Sequence, residues 1–126
     1  MAATVNDKDA CFLFDNGEGM FRPLPKDDDA RMRAMQELIK GYFEPVHTDK
    51  ELPFVAYINE EGRDKKMPPN KLGTRILKDL GFSPYVDVLG PILIVPVSEE
   101  KPFTDAEKER ITNAVKMRKK DILRAW

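Results

Sequence analysis

The sequence is poor in the residue types that carry much of enzyme chemistry. Its 126 residues include one cysteine, one histidine and one tryptophan, and only Ser83 and Ser98 are serines. Because Cys11 is alone, no intramolecular disulfide can form, and a disulfide scaffold is excluded. A structural zinc site needs several cysteine or histidine ligands, and one of each is too few. We therefore expect no metal site and no cofactor.

Long hydrophobic runs are also missing. The longest apolar stretch covers residues 91–97, whereas a membrane-spanning helix needs about 20 residues. The first nine residues lack the basic and apolar regions of a secretory signal peptide. These absences predict that the protein has no membrane partner and is cytoplasmic or nuclear, or lies inside a particle assembled there.

The composition that remains is typical of a folded domain, with 41% hydrophobic and 34% charged residues. The length suits one domain, which we place at residues 11–126 after a flexible N-terminus at residues 1–10. The net charge of −1 hides an asymmetry: residues 1–62 carry 13 acidic and 7 basic side chains, and residues 63–126 carry 9 and 14. Such asymmetry is compatible with a polyanion-binding face, a self-complementary surface or ordinary solvated charge.

The first half of the chain alternates short apolar runs with turn residues. Two runs within residues 11–24 predict a β-hairpin, and two prolines keep its second strand short or at an edge. Helical spacing predicts a helix over about residues 28–40, with an aspartate cap at its start and Gly41 just past its end. Residues 42–46 and 53–59 are strand candidates.

The second half predicts two helices around one buried strand. Asn70 is placed to cap a helix over about residues 71–80. The apolar segment 92–95 shows no polar alternation, which is typical of a strand buried on both faces in the middle of a sheet. A Thr-x-x-Glu capping box precedes a long final helix at about residues 105–124. The predicted fold is α+β: a small mixed or antiparallel sheet with two short helices and a long C-terminal helix.

Catalysis finds little support in the sequence. A Ser-His-Asp triad or a Cys-His pair would each have to use His47, which lies in a polar loop. Cys11 lies within an apolar run, so a buried and inert thiol is the favoured interpretation. Adjacent acidic residues are frequent, and solvated surface explains them better than a hydrolytic carboxylate pair. We identify no catalytic residue, and the sequence favours a non-enzymatic role without settling it.

The segment from Asn59 to Arg75 offers a first candidate surface. It runs from the end of a strand through a stiff Pro-Pro pair to a helix start, where free N–H groups can receive an anion. Lys71 and Arg75 are neighbours one helical turn apart. A plain N-cap is one interpretation, and a small anion pocket or peptide-docking notch is the other. The candidate binding residues here are Asn59, Glu60, Asn70, Lys71, Thr74 and Arg75.

The last helix offers a second candidate surface. Residues 116–124 carry five cations and one acid, a pattern that suits nucleic-acid phosphates or an acidic partner. Cations late in a helix also complement the helix dipole, which needs no partner. The terminal tryptophan is either packed on the domain or offered to a partner. The candidate binding residues here are Lys116, Arg118, Lys119, Lys120 and Trp126.

Four segments in order carry a resemblance to a known domain. They are QELIKGYFEPV at residues 36–46, YINEEGR at 57–63, MPPNKLGT at 67–74 and DVLGPILIV at 87–95. This order resembles a small uncharacterised domain of unknown function found in phage, actinobacterial, algal and large-DNA-virus proteins. That domain usually has two glycines where Lys40 and Gly41 stand, and an alanine near Gly73.

The resemblance implies a domain core at about residues 35–97 and no activity. It also implies a viral or algal source, in which case the protein would act in the host cytoplasm or nucleus or inside the virion. We expect a non-catalytic accessory module that binds another protein within a viral or cellular assembly. The alternatives are nucleic-acid binding through the basic C-terminal half and small-anion binding at the Asn70 helix start. Homo-oligomerisation stays open.

Overall fold

In the computed structural model of this chain, the described residues form five strands and three helices. The structure describes residues 10–15, 18–98 and 101–124, and for 119–124 it describes the backbone alone. The predicted elements are all present, with bounds that agree to within two residues. In chain order they are β1 (Cys11–Asp15), β2 (Glu18–Arg22), α1 (Asp28–Ile39), β3 (Phe43–Pro45), β4 (Phe54–Asn59), α2 (Lys71–Leu80), β5 (Ile92–Pro96) and α3 (Asp105–Arg124).

The strands form one sheet in the order β2-β1-β5-β4-β3. Each neighbouring pair is antiparallel, so of the two predicted kinds of sheet the antiparallel one is present. Strand β5 lies in the middle, and all five of its residues are buried. The prediction that the unbroken apolar segment forms the centre of the sheet is confirmed, because a strand covered on both faces has no solvent side on which to place polar residues.

Alternate residues of each strand enter two separate hydrophobic clusters. In β5, Ile92 and Ile94 pack with residues of α2 and α3, while Leu93 and Val95 pack with residues of α1. This division follows from the two-residue period of a strand, which sends successive side chains to opposite faces. The molecule therefore has three layers, with α1 on one face of the sheet and α2 and α3 on the other.

Helix α1 begins and ends as local chemistry requires, with one difference from the sequence prediction. The Asp27 carboxylate accepts from the Ala30 N–H at 2.9 Å, which confirms the aspartate cap. The left-handed residue at the other end is Lys40, with φ of 71°, one position before the predicted Gly41. That conformation lets the Gly41 N–H donate to the Gln36 carbonyl at 2.9 Å and so satisfies the last turn.

Helix α2 packs closely on the central strand because of a glycine. A Cβ atom at Gly73 would lie 2.5 Å from Cδ1 of Ile92, which is closer than two carbon atoms can approach. The Asn70 side chain accepts from the Gly73 N–H at 3.0 Å, and the left-handed Gly81 ends the helix, as predicted. The Ile92 side chain therefore reaches the backbone of α2 at Gly73.

Helix α3 starts with the predicted capping box. The Thr104 N–H donates to Glu107 Oε1 at 2.9 Å, and the Glu107 N–H donates to Thr104 Oγ1 at 3.1 Å. Ile111 and Ala114 are buried on the same cluster as α2. The first half of the apolar stripe therefore holds α3 on the sheet, and the side chains of its last six residues lie outside the described residues.

Candidate functional site

A hollow of about 550 Å³ lies beside the edge strand β3, and we call it the Tyr85 groove. One wall is β3 with the two residues after it, and the other is the loop that follows α2. The end of β4 and the turn after it complete the groove. Its size is that of known ligand sites. The lining residues that matter below are Glu44, His47, Asn59, Glu60, Arg63, Asp64, Tyr85, Val86 and Asp87.

Hydrogen bonds hold the loop wall at both of its ends. At the first end, the Ser83 N–H donates to the His47 carbonyl at 2.8 Å. At the second end, the Asn70 N–H donates to the Val88 carbonyl at 2.7 Å, and the Val88 N–H donates to Thr74 Oγ1 at 2.9 Å. The short segment between these clamps is therefore tied to β3 on one side and to the start of α2 on the other.

Two large apolar side chains between the clamps face water. Tyr85 is 83% exposed and Val86 is 63% exposed. The Tyr85 ring stacks on the His47 imidazole, with 5.0 Å between ring centroids and 24° between planes. His47 Nε2 also lies 2.8 Å from Asp49 Oδ1, which orients the imidazole. The exposed Tyr85 ring is therefore packed against His47 on one face, and this contact restricts its orientation.

The charge of the groove is predominantly acidic. Among the described residues, the lining contains no serine, threonine or cysteine, so the Tyr85 phenol is its one hydroxyl group. An acidic surface with exposed apolar groups is suited to binding a cationic and partly apolar ligand. The carboxylates belong to Glu44, Glu60, Asp64 and Asp87, and the basic groups to Arg63 and His47.

Of the two candidate residues at the end of β4, one faces solvent and one serves the fold. Glu60 is exposed and lines the groove. Asn59 is buried: its Nδ2 donates to the Ile39 carbonyl at 3.0 Å, and its Oδ1 accepts from the Glu61 N–H at 2.8 Å. Asn59 therefore closes the end of α1 and shapes the turn that presents Glu60.

The Asn70 amide is used entirely within the protein. Besides accepting from the Gly73 N–H, it donates to the Gly90 carbonyl at 2.9 Å and to the Phe14 carbonyl at 3.4 Å. A small hollow beside it also contains the carboxylate of Asp15, which disfavours an anion there. The predicted cap at Asn70 is present, and its amide is not offered to a ligand.

Of the other three candidates on α2, one is hydrogen-bonded within the protein and two are exposed to solvent. Thr74 is 2% exposed, and its hydroxyl donates to the Asn70 carbonyl at 2.8 Å while accepting from the loop wall. Lys71 and Arg75 are exposed on the outer side of the helix and do not line the Tyr85 groove. The structure therefore brings Thr74 behind the groove and leaves the two cations outside it.

The basic helix is partly neutralised by its neighbour. Both Nε and Nη2 of Arg118 donate to the Asp79 carboxylate of α2 at 2.5 Å, so Arg118 clamps α3 to α2. Lys116 is exposed. The side chains of Lys119 and Lys120, and the whole of Trp126, lie outside the described residues.

Cys11 and His47 lie on opposite faces of the sheet. Cys11 belongs to the α1 cluster, and burial raises the pKa of its thiol from 9.0 to about 11, with nearby Arg22 and Arg31 opposing that rise. The thiol is therefore protonated near neutral pH and is a weak nucleophile. His47 opens into the Tyr85 groove on the α2 side. The predicted buried state of Cys11 is confirmed, and the two groups cannot act together.

The described ranges contain neither a metal-binding cluster nor a membrane-spanning helix. There, no group of three or more His, Cys, Asp or Glu side chains is arranged to hold a metal ion. Of the three aspartates at the start of α1, Asp27 caps the helix, and Asp28 and Asp29 lie in its first turn, where negative charge complements the helix dipole. Among the helices so described, none combines the length and apolar character needed to cross a bilayer.

The loop wall is the part of the groove that the sequence patterns do not predict. Residues 85–90 read as a lead into the buried strand, because Val88 and Leu89 are apolar. The available signal was Pro84 before two apolar residues that fit neither a helical nor a strand period. What could not be read is that Thr74, fourteen positions earlier, holds Val88 in place.

Comparison with known families gives a match over most of the chain. The model of a domain of unknown function, DUF3846, matches residues 11–119. The match extends beyond the resembling segment at 35–97 and includes the β1-β2 hairpin and most of α3. Comparisons with curated proteins and with solved structures give no match. With its whole sheet and all three helices reached by the family model, the chain belongs to the DUF3846 family of domains of unknown function.

Proposed function

We propose that this domain is a non-catalytic binding module whose Tyr85 groove receives a basic segment of another protein. The observation that carries the proposal is the pair of exposed apolar side chains, Tyr85 and Val86, on a loop tied down at both ends. A solvent-exposed tyrosine on a held backbone loses little conformational freedom on binding. Such aromatic residues supply much of the energy of protein interfaces.

The charge of the groove supports a cationic occupant. Its four carboxylates outnumber the single arginine, and His47 is already engaged with Asp49. A lysine or arginine beside an apolar anchor would meet both features of the groove at once. Complementary charge of this kind raises specificity and the association rate more than the final affinity.

The test is a selection from a library of random short peptides, followed by measured affinities for variants. We expect enriched peptides to contain lysine or arginine next to an apolar residue. Tyr85→Ala should weaken their binding by about tenfold or more, the size of an interface hot spot. Glu60→Lys and Asp87→Lys should each weaken peptide binding. The loss should grow as the salt concentration falls, because the charge repulsion is then less screened.

Met117→Ala is the matched control. Met117 is also an exposed large apolar residue, at 66%, but it lies on α3 and does not line the groove. Its variant should bind the peptides as the unchanged protein does. Equal losses in Met117→Ala and Tyr85→Ala, or selection of acidic peptides, would refute the groove as the binding site.

Nucleic-acid binding through the basic C-terminal half is the alternative function, and a binding assay with the same variants tests it. It would appear as retention of duplex DNA or RNA at low salt, with a steep salt dependence. Charge reversal at Lys116, Lys119 and Lys120 would then abolish retention, while Tyr85→Ala would leave it intact. The pairing of Arg118 with Asp79 weighs against this alternative, since it removes one cation from the basic surface.

The proposed setting is the cytoplasm of a cell, or a virion assembled there, in keeping with the resemblance to phage, algal and large-DNA-virus sequences. A single buried thiol that forms no disulfide suits such a reducing compartment. Fractionation of the native source, with an antibody against the protein, tests this setting.

A further inference from the structure

We propose that two copies of this chain pair through β2, joining their sheets edge to edge in an antiparallel arrangement centred on Met20. Strand β2 lies at one end of the sheet, and four of its five residues are exposed. Met20, at the centre of the strand, is 55% exposed. This surface is separate from the Tyr85 groove and does not depend on it.

Hydrogen-bond alternation shows which backbone groups β2 leaves free. The Val97 N–H donates to the Pro53 carbonyl, so odd-numbered residues of β5 bond towards β4 and even-numbered ones towards β1. Phe12 and Phe14 of β1 then bond to β5, and the odd-numbered residues of β1 bond to β2. The register places Met20 against an odd-numbered residue. Its neighbours on β2 therefore direct their N–H and C=O groups outwards.

With respect to the described residues, this edge of the sheet thus offers two donor and acceptor sets, at Gly19 and Phe21. In an antiparallel pair centred on Met20, Gly19 of each copy lies opposite Phe21 of the other, and four backbone hydrogen bonds can form. The two Met20 residues form the close, non-hydrogen-bonded pair at the two-fold axis. The joined sheet thus keeps the regular alternation of hydrogen-bonded and non-hydrogen-bonded residue pairs across the interface.

The opposite edge of the sheet, strand β3, does not offer two such sets of backbone donors and acceptors. In β3 the Val46 N–H donates to Ala56, so Phe43 and Pro45 are the residues that face outwards. Pro45 has no N–H, and the strand has only three residues. Proline and shortness are features by which natural sheets protect an edge from pairing. β2 has five residues and no proline.

Charge complementarity identifies a second copy as the occupant. Glu18 and Arg22 lie symmetrically about Met20, so an antiparallel pair places each Glu18 opposite Arg22 of the other copy. Two opposite-charge pairs then flank a central apolar pair on one face of the joined sheet. On the other face, the Phe12 ring covers Gly19, and Phe21 packs on Phe12 and Phe103 of its own copy.

Charge exchange tests both the pairing and its register. Sedimentation over about 10 μM to 1 mM suits the weak association expected of a small interface. The unchanged protein should dimerise, and Glu18→Arg and Arg22→Glu should each raise the dissociation constant at least tenfold by placing like charges opposite. The double exchange should restore dimerisation, and an equimolar mixture of the two single variants should form the heterodimer.

Cross-linking gives a second readout that does not depend on charge. Residues at position 20 would be directly opposite across the axis, within reach of a disulfide. Met20→Cys should therefore form a cross-linked dimer with oxidised glutathione, while Met32→Cys, equally exposed but on α1, should not. Circular dichroism checks that each variant folds. A monomer at 1 mM, single variants that dimerise like the unchanged protein, or a mixture that stays monomeric would overturn the proposal.

Discussion

Lys40 has a backbone conformation that its side chain does not favour. With φ of 71° it is left-handed, and Gly41 follows with φ of 149°, so the turn after α1 contains two successive residues of positive φ. A non-glycine residue pays for that conformation in steric repulsion between its Cβ atom and the backbone. The turn is formed with lysine at the first of the two positions.

Replacing Lys40 with glycine should stabilise the protein. Relief of the left-handed strain, offset by the greater freedom of glycine in the unfolded chain, predicts a gain of about 0.5–1 kcal/mol in unfolding free energy. The contact of Lys40 Nζ with Asp15, at 3.8 Å and largely exposed, contributes little. Urea denaturation measures the change. Lys40→Ala is the control, since it removes the ammonium group and keeps the strain. A glycine variant no more stable than the alanine variant would contradict the argument.

At the scale of elements, sequence patterns were sufficient for every helix and strand but not for the groove. The period of 3.6 or 2 residues, the caps at Asn70 and Thr104, and the unbroken run in β5 are local signals. The groove depends on contacts between distant positions, such as Ser83 with His47 and Thr74 with Val88. A pattern along the chain does not specify which elements become neighbours.

For the same reason, the sequence does not show which of the predicted site residues are exposed and which are hydrogen-bonded within the protein. Asn59, Asn70 and Thr74 are polar residues near element ends, and in the structure they are buried or half-buried and hydrogen-bonded within the protein. Polar side chains at such ends are selected both by ligands and by unpaired backbone groups. From sequence alone, a cap and a binding residue look the same.

The Asn70 side chain caps α2 and also donates to two carbonyl groups elsewhere in the fold. The substitution Asn70→Asp tests these two roles separately. Asn70→Asp keeps an oxygen to accept from the Gly73 N–H but loses the donors to the Gly90 and Phe14 carbonyls. It also brings a carboxylate towards those carbonyl oxygens. We expect a loss of about 1–3 kcal/mol in unfolding free energy, although aspartate is as good a cap as asparagine.

Asn70→Ala is the comparison for that experiment, because it removes the cap and the donors together. It should be less stable than Asn70→Asp in the same urea titration at neutral pH. If the aspartate variant were as stable as the unchanged protein, the two carbonyl contacts would be unimportant, and capping alone would explain the residue.

At the scale of the whole molecule, α3 has two parts with different tasks. Ile111 and Ala114 are buried in the cluster that covers the α2 side of the sheet, whereas Lys116 and Met117 are exposed. In the described part of the helix after Val115, Arg118 forms an ion pair with Asp79 of α2. The three layers therefore need the first half of α3 more than the second.

Ending the chain after Val115 should accordingly preserve a cooperative fold. We expect a loss of about 1–2 kcal/mol, the value of a partly exposed bidentate ion pair with some packing. Ending it after Thr104 should prevent folding, because the apolar surface of α2 and the sheet would face water. Thermal unfolding followed by circular dichroism distinguishes these results, and a non-cooperative transition in the longer chain would contradict the division.

The longer of these chains also separates the two candidate surfaces of the molecule. It keeps the Tyr85 groove intact and removes every cation from Lys116 onwards, so peptide binding that survives the truncation must belong to the groove. Binding that disappears while the fold persists would place the contact on the basic end of α3 instead. Because β2 is also retained, dimerisation should be unchanged, and sedimentation of the same sample shows whether pairing through that edge is independent of both surfaces.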